Sequence, residues 1–220
     1  DHSKKRIKIY EKEGFEIINS WKNTLSQKDL KNIDLVIAIG GDGTALSASH
    51  YLHSAPLLAV NSEPKKSIGA LTTISTKELD QKLEDIKNNK HKTENLERIE
   101  VFINNKALNQ LALNEVFIAS KKAYLMSKYK IEFKEKKETQ LSSGIIFSTG
   151  TGSTAWFKSA HGVPFSPQSK FIKMIVREPY QGKNLPQQLQ NLTIKEHESI
   201  AIKPLVPSIL AIDSIREFPL

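Results

Sequence analysis

The stretch "DLVIAIGGDGTAL", residues 34–46, decides the fold. Leu35–Ile39 is an unbroken apolar run of the length of a buried strand. It breaks off into Gly40-Gly41-Asp42-Gly43-Thr44, after which Thr44–Leu52 reads as a helix. A loop joining a strand to a helix N-terminus is where α/β sheets bind anions, because first-turn N–H groups and the helix dipole point there. The glycines let a ligand approach the backbone closely. Asp42 would repel bare phosphate, so it acts either beside a cation or on another group, such as a hydroxyl. The plain alternative is a tight turn with Asp42 as a local cap.

Outward from this loop, the first 95 residues alternate strand-like and helix-like segments. Phe15–Asn19 and Pro56–Val60 read as strands. Ser75-Thr76-Lys77-Glu78 has capping-box spacing, and Leu79, Leu83 and Ile86 then share one helix face. This alternation predicts a parallel, helix-covered sheet. From residue 96 the texture turns to strands rich in β-branched and aromatic residues: Arg98–Ile103, Leu111–Ala119, Tyr124–Phe133, Gly144–Ser148, Ser199–Lys203 and Ser208–Asp213. Residues 160–190 carry prolines, glycines and polar residues and receive no assignment. The expected organisation is an α/β domain over 1–95 and a β-rich domain over 96–220.

The chain has 220 residues, 39% of them hydrophobic, enough for one or two cored domains. It has no cysteine, which excludes disulfides and cysteine-based zinc sites and fits a reducing compartment. No apolar stretch is long enough to span a bilayer, and no signal or transit segment is visible. The chain begins at Asp1 rather than Met, so upstream targeting information is an open expectation. Net charge is +8, but the lysine groups are scattered and not interleaved with aromatics. No nucleic-acid partner is expected from them, and a general pull on anionic small molecules is.

Two further stretches carry chemistry. "STGTGSTAW", residues 148–156, follows the apolar run Gly144–Phe147. It matches the dinucleotide fingerprint only formally, since no acidic residue lies between 156 and 177. It reads better as a cradle in which Thr149, Thr151, Ser153 and Thr154 offer donors to a nucleotide; a Ser/Thr-rich turn is the alternative. In "LNEVFIA", residues 113–119, Asn114-Glu115 interrupts an apolar strand with a donor–acceptor pair suited to a ribose diol or a base edge. An edge strand with outward polar residues would look the same. His50 and His53 lie three apart, but no third ligand is evident, so both read as ordinary helix positions.

Together these stretches resemble the NAD kinase family, with its GGDGT motif, Asn-Glu pair and TPTGSTAY-like loop in the same order. The resemblance covers about residues 34–160, with "VNSEP" and Gly69-Ala70-Leu71 between the first two motifs. Gly150 stands where the family has proline, Trp156 where it has tyrosine, Ser143-Gly144 for an Asp-Gly, and Asp213-Ser214 for a late Asp-Gly. "TGTGS" and "VREP" look closer to the mitochondrial-type branch. The resemblance implies an N-terminal α/β, Rossmann-like domain, a C-terminal β-sandwich domain and an active site between them. It implies ATP-dependent phosphorylation of the 2′-hydroxyl of the adenosine ribose of NAD, with Mg2+ or another divalent metal. Asp42 matches the proton acceptor. The implied ligand-binding set is Gly41, Gly43, Thr44, Asn114, Glu115, Thr149, Thr151, Gly152, Ser153, Thr154, Ala155 and Ser159, with no metal ligand supplied by the protein. A homo-oligomer, dimer or tetramer, is expected, with a cytoplasmic location or, as the alternative, the mitochondrial matrix. The competing readings are a non-catalytic NAD(H)- or ATP-binding sensor and a diacylglycerol-type lipid kinase; the latter lacks support, since no amphipathic membrane helix is seen and no membrane partner is expected.

Overall fold

The computed structural model describes residues 16–18, 30, 32–65, 69–182 and 188–220. They fall into two compact units, residues 1–76 and 77–220. The division comes before residue 95 because the helix over 79–87 belongs to the second unit.

In the first unit, β1 (Val36–Gly40), β2 (Leu57–Asn61) and β3 (Ile74–Ser75) form a parallel sheet in that order. β1 and β2 pair from Val36 opposite Leu57 to Gly40 opposite Asn61. Between them α1 runs Asp42–Ser49, starting two residues earlier than the sequence suggested. Its buried residues are small, with Ala45, Ser47, Ala48 and Ser49 beside Leu46. A helix of small residues can lie close to a sheet, and its burial is too broad to leave an apolar stripe. The strand expected at Phe15–Asn19 lies outside the described residues except for 16–18, which take no regular structure.

In the second unit α2 runs Leu79–Lys87 and buries Leu79 and Leu83, as their spacing predicts. Ser75 lies in β3, and the N-cap of α2 is Glu78, whose side chain makes no cap bond. The strands are β4 (Phe102–Ile103), β5 (Lys106–Ala107), β6 (Glu115–Ser120), β7 (Ser127–Phe133), β8 (Lys136–Ser142), β9 (Ile145–Ser148), β10 (Phe171–Val176), β11 (Asn191–Lys195), β12 (Ile200–Pro204), β13 (Ser208–Ile212) and β14 (Arg216–Pro219). A six-stranded sheet, β11-β10-β9-β6-β13-β14, faces a three-stranded one, β12-β7-β8. Val116, Ile118, Ile145, Phe147 and Met174 of the first share one core with Tyr129, Ile131 and Phe133 of the second. This is the expected β-sandwich.

Six strands escaped the sequence reading: β3, β5, β8, β10, β11 and β14. β10 lies inside the unassigned 160–190 stretch. β8 is polar on its buried side: Glu138, Gln140 and Ser142 point inward. They are satisfied there. Tyr129 Oη bonds Gln140 (3.1 Å) and Ser142 (2.9 Å), Gln140 Nε2 donates to Glu138 (2.8 Å), and Glu138 accepts the Gln188 and Leu189 N–H groups. On the other face of the large sheet, Ile146 and Ile175 pack under Phe157 of α3 (Trp156–Ser159), with Phe117 and Trp156 alongside. Among the described residues no helix is long and apolar enough to cross a membrane.

Candidate active site

In the first unit Gly41 is the N-cap of α1 and Asp42 its first residue, where a carboxylate complements the helix dipole. The carboxylate turns to a segment about thirty residues on: Oδ2 accepts the Ala70 N–H (2.9 Å), and Oδ1 accepts the Leu71 (2.9 Å) and Thr72 (3.2 Å) N–H groups and the Thr72 hydroxyl (3.3 Å). Partial burial pulls its pKa upward, but these bonds outweigh it and hold the group below its ordinary value. Asp42 is thus a long-range clamp rather than a local cap. Oδ2 carries one bond and keeps room for another donor. Thr44 is half-buried, with its side chain against Gly40. Gly43 is exposed, and a Cβ there would meet nothing within 4 Å. Glycine weakens a helix, and here no packing requirement explains it.

In the second unit the Asn114-Glu115 pair sits where β6 begins. Val116 and Ile118 face the core and Phe117 the opposite side, so Glu115 shares the α3 face with Phe117. Asp213 lies in the β13–β14 turn, 2% exposed. Its carboxylate accepts the N–H groups of Leu113 (2.8 Å), Asn114 (2.8 Å) and Glu115 (3.0 Å), and its own N–H donates to the Glu115 carbonyl (2.9 Å). Ser214 Oγ donates to Glu115 Oε1 (3.3 Å). Burial first, and Asp213's charge second, push the Glu115 carboxyl up to about 7 against a smaller opposing pull from the Ser214 bond. Arg98 faces Asp213; burial depresses its pKa and the Asp213 charge raises it.

The TGTGS loop folds back on this corner. Thr149 donates its N–H to the Asn114 carbonyl and its hydroxyl to the Leu113 carbonyl, and accepts the Gly152 N–H. Ser153 Oγ bonds Gly150 and Phe165. Thr149 and Ser153 are fully buried, so their hydroxyls are spent on backbone groups of the loop, of Leu113 and of Phe165 rather than left open as the sequence suggested. Thr151 is half-buried, while Thr154, Ala155 and Ser159 are exposed. A Cβ at Gly152 would overlap the Asn114 backbone, and one at Gly150 would overlap the Ser166 carbonyl. The second overlap accounts for Gly150 in place of proline: Ser166-Pro167 fills that space. Trp156 stacks tilted on Phe117 (4.5 Å), and the Arg177 guanidinium lies 5.5 Å from the Trp156 ring centre and 5.7 Å from that of Phe117. Three buried side-chain atoms here have no hydrogen-bond partner: Asn114 Oδ1, Glu115 Oε2 and Thr151 Oγ1. Among the described residues no three His, Cys, Asp or Glu side chains gather as a metal site.

The Ala70–Thr72 clamp, Asp213, Ser214 and Arg98 were not assigned roles from sequence. The "IDSI" stretch shows a hairpin turn, but its partner lies about a hundred residues away.

The two units define a class: a glycine-loop α/β unit followed by a β-sandwich. Solved structures share this fold: an NAD kinase from Archaeoglobus fulgidus in complex with ATP (TM-score 0.77, 22% identity, 100% of this chain and 83% of that one) and yeast NADH kinase complexed with NADH (TM-score 0.73, 23% identity, 90% and 57%). Residues 1–91 match the ATP-NAD kinase N-terminal domain. A probable NADH kinase of Oryza sativa subsp. japonica is 27% identical over 218 residues, 88% of this chain and 66% of that protein. An NAD kinase of Clostridium botulinum is 34% identical over 166 residues, 73% and 57%. Over most of its length the chain is thus similar to members of the NAD kinase family. It spans 66% or less of the length of these two relatives.

Proposed function

We propose that this chain carries out the NAD kinase reaction, moving the γ-phosphoryl group of ATP to the 2′-hydroxyl of the adenosine ribose of NAD. The ribose oxygen bonds to phosphorus, the bond to the bridging oxygen breaks, ADP leaves and the hydroxyl proton goes to a base. The observation that carries this reading is the pair of buried, unpartnered acceptors on Asn114 and Glu115. Buried polar atoms rarely stay unpaired, and a ribose diol or a base edge supplies the donors. Thr151 Oγ1 adds a third such atom. Gly41, Gly43 and Thr44 frame the phosphate loop, where the bare Gly43 leaves space for a ligand. Gly152 sets the loop on Asn114, Thr149 and Ser153 hold the cradle's shape, and Thr154, Ala155 and Ser159 offer the exposed side.

Asp42 is the proposed proton acceptor. Its depressed basicity is tolerable because phosphoryl transfer has a loose transition state, so the base need only orient the hydroxyl and take its proton late. A divalent cation is proposed to enter as the metal–ATP substrate, since Mg2+ is commonly bound through substrate phosphates. NADP formation from NAD and Mg-ATP tests the proposal; binding of NAD with no turnover would overturn it. That outcome is the sensor reading.

The edge strands β11 and β14 motivate a homo-oligomer, which light scattering checks; an active monomer would refute it. The proposed compartment is the cytoplasm, with the mitochondrial matrix as the alternative; a cysteine-free chain suits either reducing space, and cell fractionation decides.

A further inference from the structure

Asp213 and Ser214 both take left-handed backbone, φ 52° and 53°. Glycine would hold Ser214's position without strain, and Ser214 is exposed. The gain from serine is the hydroxyl bond to Glu115 Oε1, 3.3 Å. Asp213, meanwhile, holds three successive N–H groups on Leu113, Asn114 and Glu115. The residues so held are the ones whose side chains keep an unpartnered buried acceptor: Asn114 Oδ1 and Glu115 Oε2. A turn serving cohesion alone would gain most by satisfying those atoms. This one fixes the backbone of both residues and one oxygen of the carboxylate, and leaves the other oxygen open.

We propose that the Asp213-Ser214 turn is a positioning element for the Asn114-Glu115 pair, with Asp213 fixing the backbone and Ser214 orienting the Glu115 carboxylate so that Oε2 is presented to the ligand. The inference rests on reading Asn114 and Glu115 as NAD contacts. The charged groups at this corner are Asp213, which faces Glu115 from the β13–β14 turn, and Arg98, which faces Asp213 from the segment before β4. Neither residue of the turn touches the reacting atoms in this scheme; both act through Glu115 and Asn114.

Ser214→Gly is the decisive variant, because it relieves the left-handed strain while removing the hydroxyl. The melting temperature should hold or rise, while the dissociation constant for NAD should increase roughly five- to tenfold, the scale of one ordinary hydrogen bond. Carbon-13 carboxyl NMR of the ligand-free protein gives a second readout. The Glu115 titration should move upward in Ser214→Gly, where a bond to the ionised form is lost, and downward in Asp213→Asn, where a like charge is removed. A Ser214→Gly protein that binds NAD as the wild type does would overturn the proposal, and so would an unmoved Glu115 titration in both variants. If the titrations move as stated but wild-type protein does not bind NAD, positioning of Glu115 stands and the NAD reading fails.

Discussion

Each unit holds an aspartate that gathers three backbone N–H groups from a distant segment: Asp42 from Ala70–Thr72, Asp213 from Leu113–Glu115. The local geometry is nearly the same; the setting is not. Asp42 is half-exposed at a helix start beside a bare glycine, and its own basicity is the quantity the clamp alters. Asp213 is buried, and the quantity it alters belongs to its neighbour, the Glu115 carboxyl raised to about 7. One motif thus accompanies a weakened base in one place and a strengthened one in the other. What decides is whether the clamping carboxylate is itself open to a ligand.

The largest expected effect comes from Asp42→Asn. If Asp42 accepts the proton, kcat should fall by about 10²–10⁴-fold, roughly 3–5 kcal/mol of barrier. The change is nearly isosteric, but the clamp adds a cost. The new amide NH2 would oppose either the Ala70 N–H or the Leu71 and Thr72 N–H groups, and stability should drop by about 1–3 kcal/mol. Steady-state rates and denaturant unfolding on the one variant separate the two losses. Turnover near that of the wild type would leave Asp42 as a clamp only, like Asp213.

Glu115→Gln comes next. Its folded pKa is raised, so the stability the neutral form contributes is full below the ordinary glutamate range and is lost as pH climbs toward 7. Glutamine mimics the neutral form. The variant should match the wild type near pH 4 and exceed it by about 3 kcal/mol above pH 8. Asp42 runs the opposite way: its pKa is lowered, so its contribution is present at neutral pH and lost on acidification. Unfolding curves from pH 2 to 9 read both, Asp42 below pH 4 and Glu115 between pH 4 and 8; a Glu115→Gln gain that does not vary with pH would refute the first.

The smallest effect contrasts the glycines of the two regions. Gly43→Ala should stabilise α1 by about 0.5–1 kcal/mol while weakening ATP binding, because the space above it is open for a ligand. Gly152→Ala has no such freedom against Asn114 and should destabilise the fold. Thermal unfolding and ATP titration of the pair check it; Gly43→Ala binding ATP normally would leave that glycine unexplained.

What the sequence made legible follows from how local each signal is. Apolar runs placed β1, β2, β6, β9 and β13 to within a few residues, and the Leu79–Leu83 spacing placed α2. Two short motifs named the Asn114-Glu115 pair and the TGTGS loop in the second unit, and a third named the Gly40–Thr44 loop in the first. β8 stayed hidden because its buried side is polar, and β10 because prolines and glycines surround it. The clamps were invisible for a different reason. Asp42 and Asp213 bond to backbone N–H groups 28 and 100 residues away at their nearest and farthest, and a backbone N–H leaves no mark in a sequence.

The buried network on β8 bears on how the sandwich finds its alignment. The β7–β8 hairpin closes from Phe133 to Lys136 with Lys134 at φ 55°, a position that asparagine or glycine takes more easily. The turn is therefore a weak ruler. A slip of one residue would carry Glu138, Gln140 and Ser142 to solvent, bring Lys137 and Leu141 inward and leave Tyr129 Oη buried without its partners. The interior polar chain supplies the alignment that the turn does not, as a keyed fit does where a smooth one would slide. Filling those three positions with hydrocarbon would remove that key and let neighbouring registers compete with the native one.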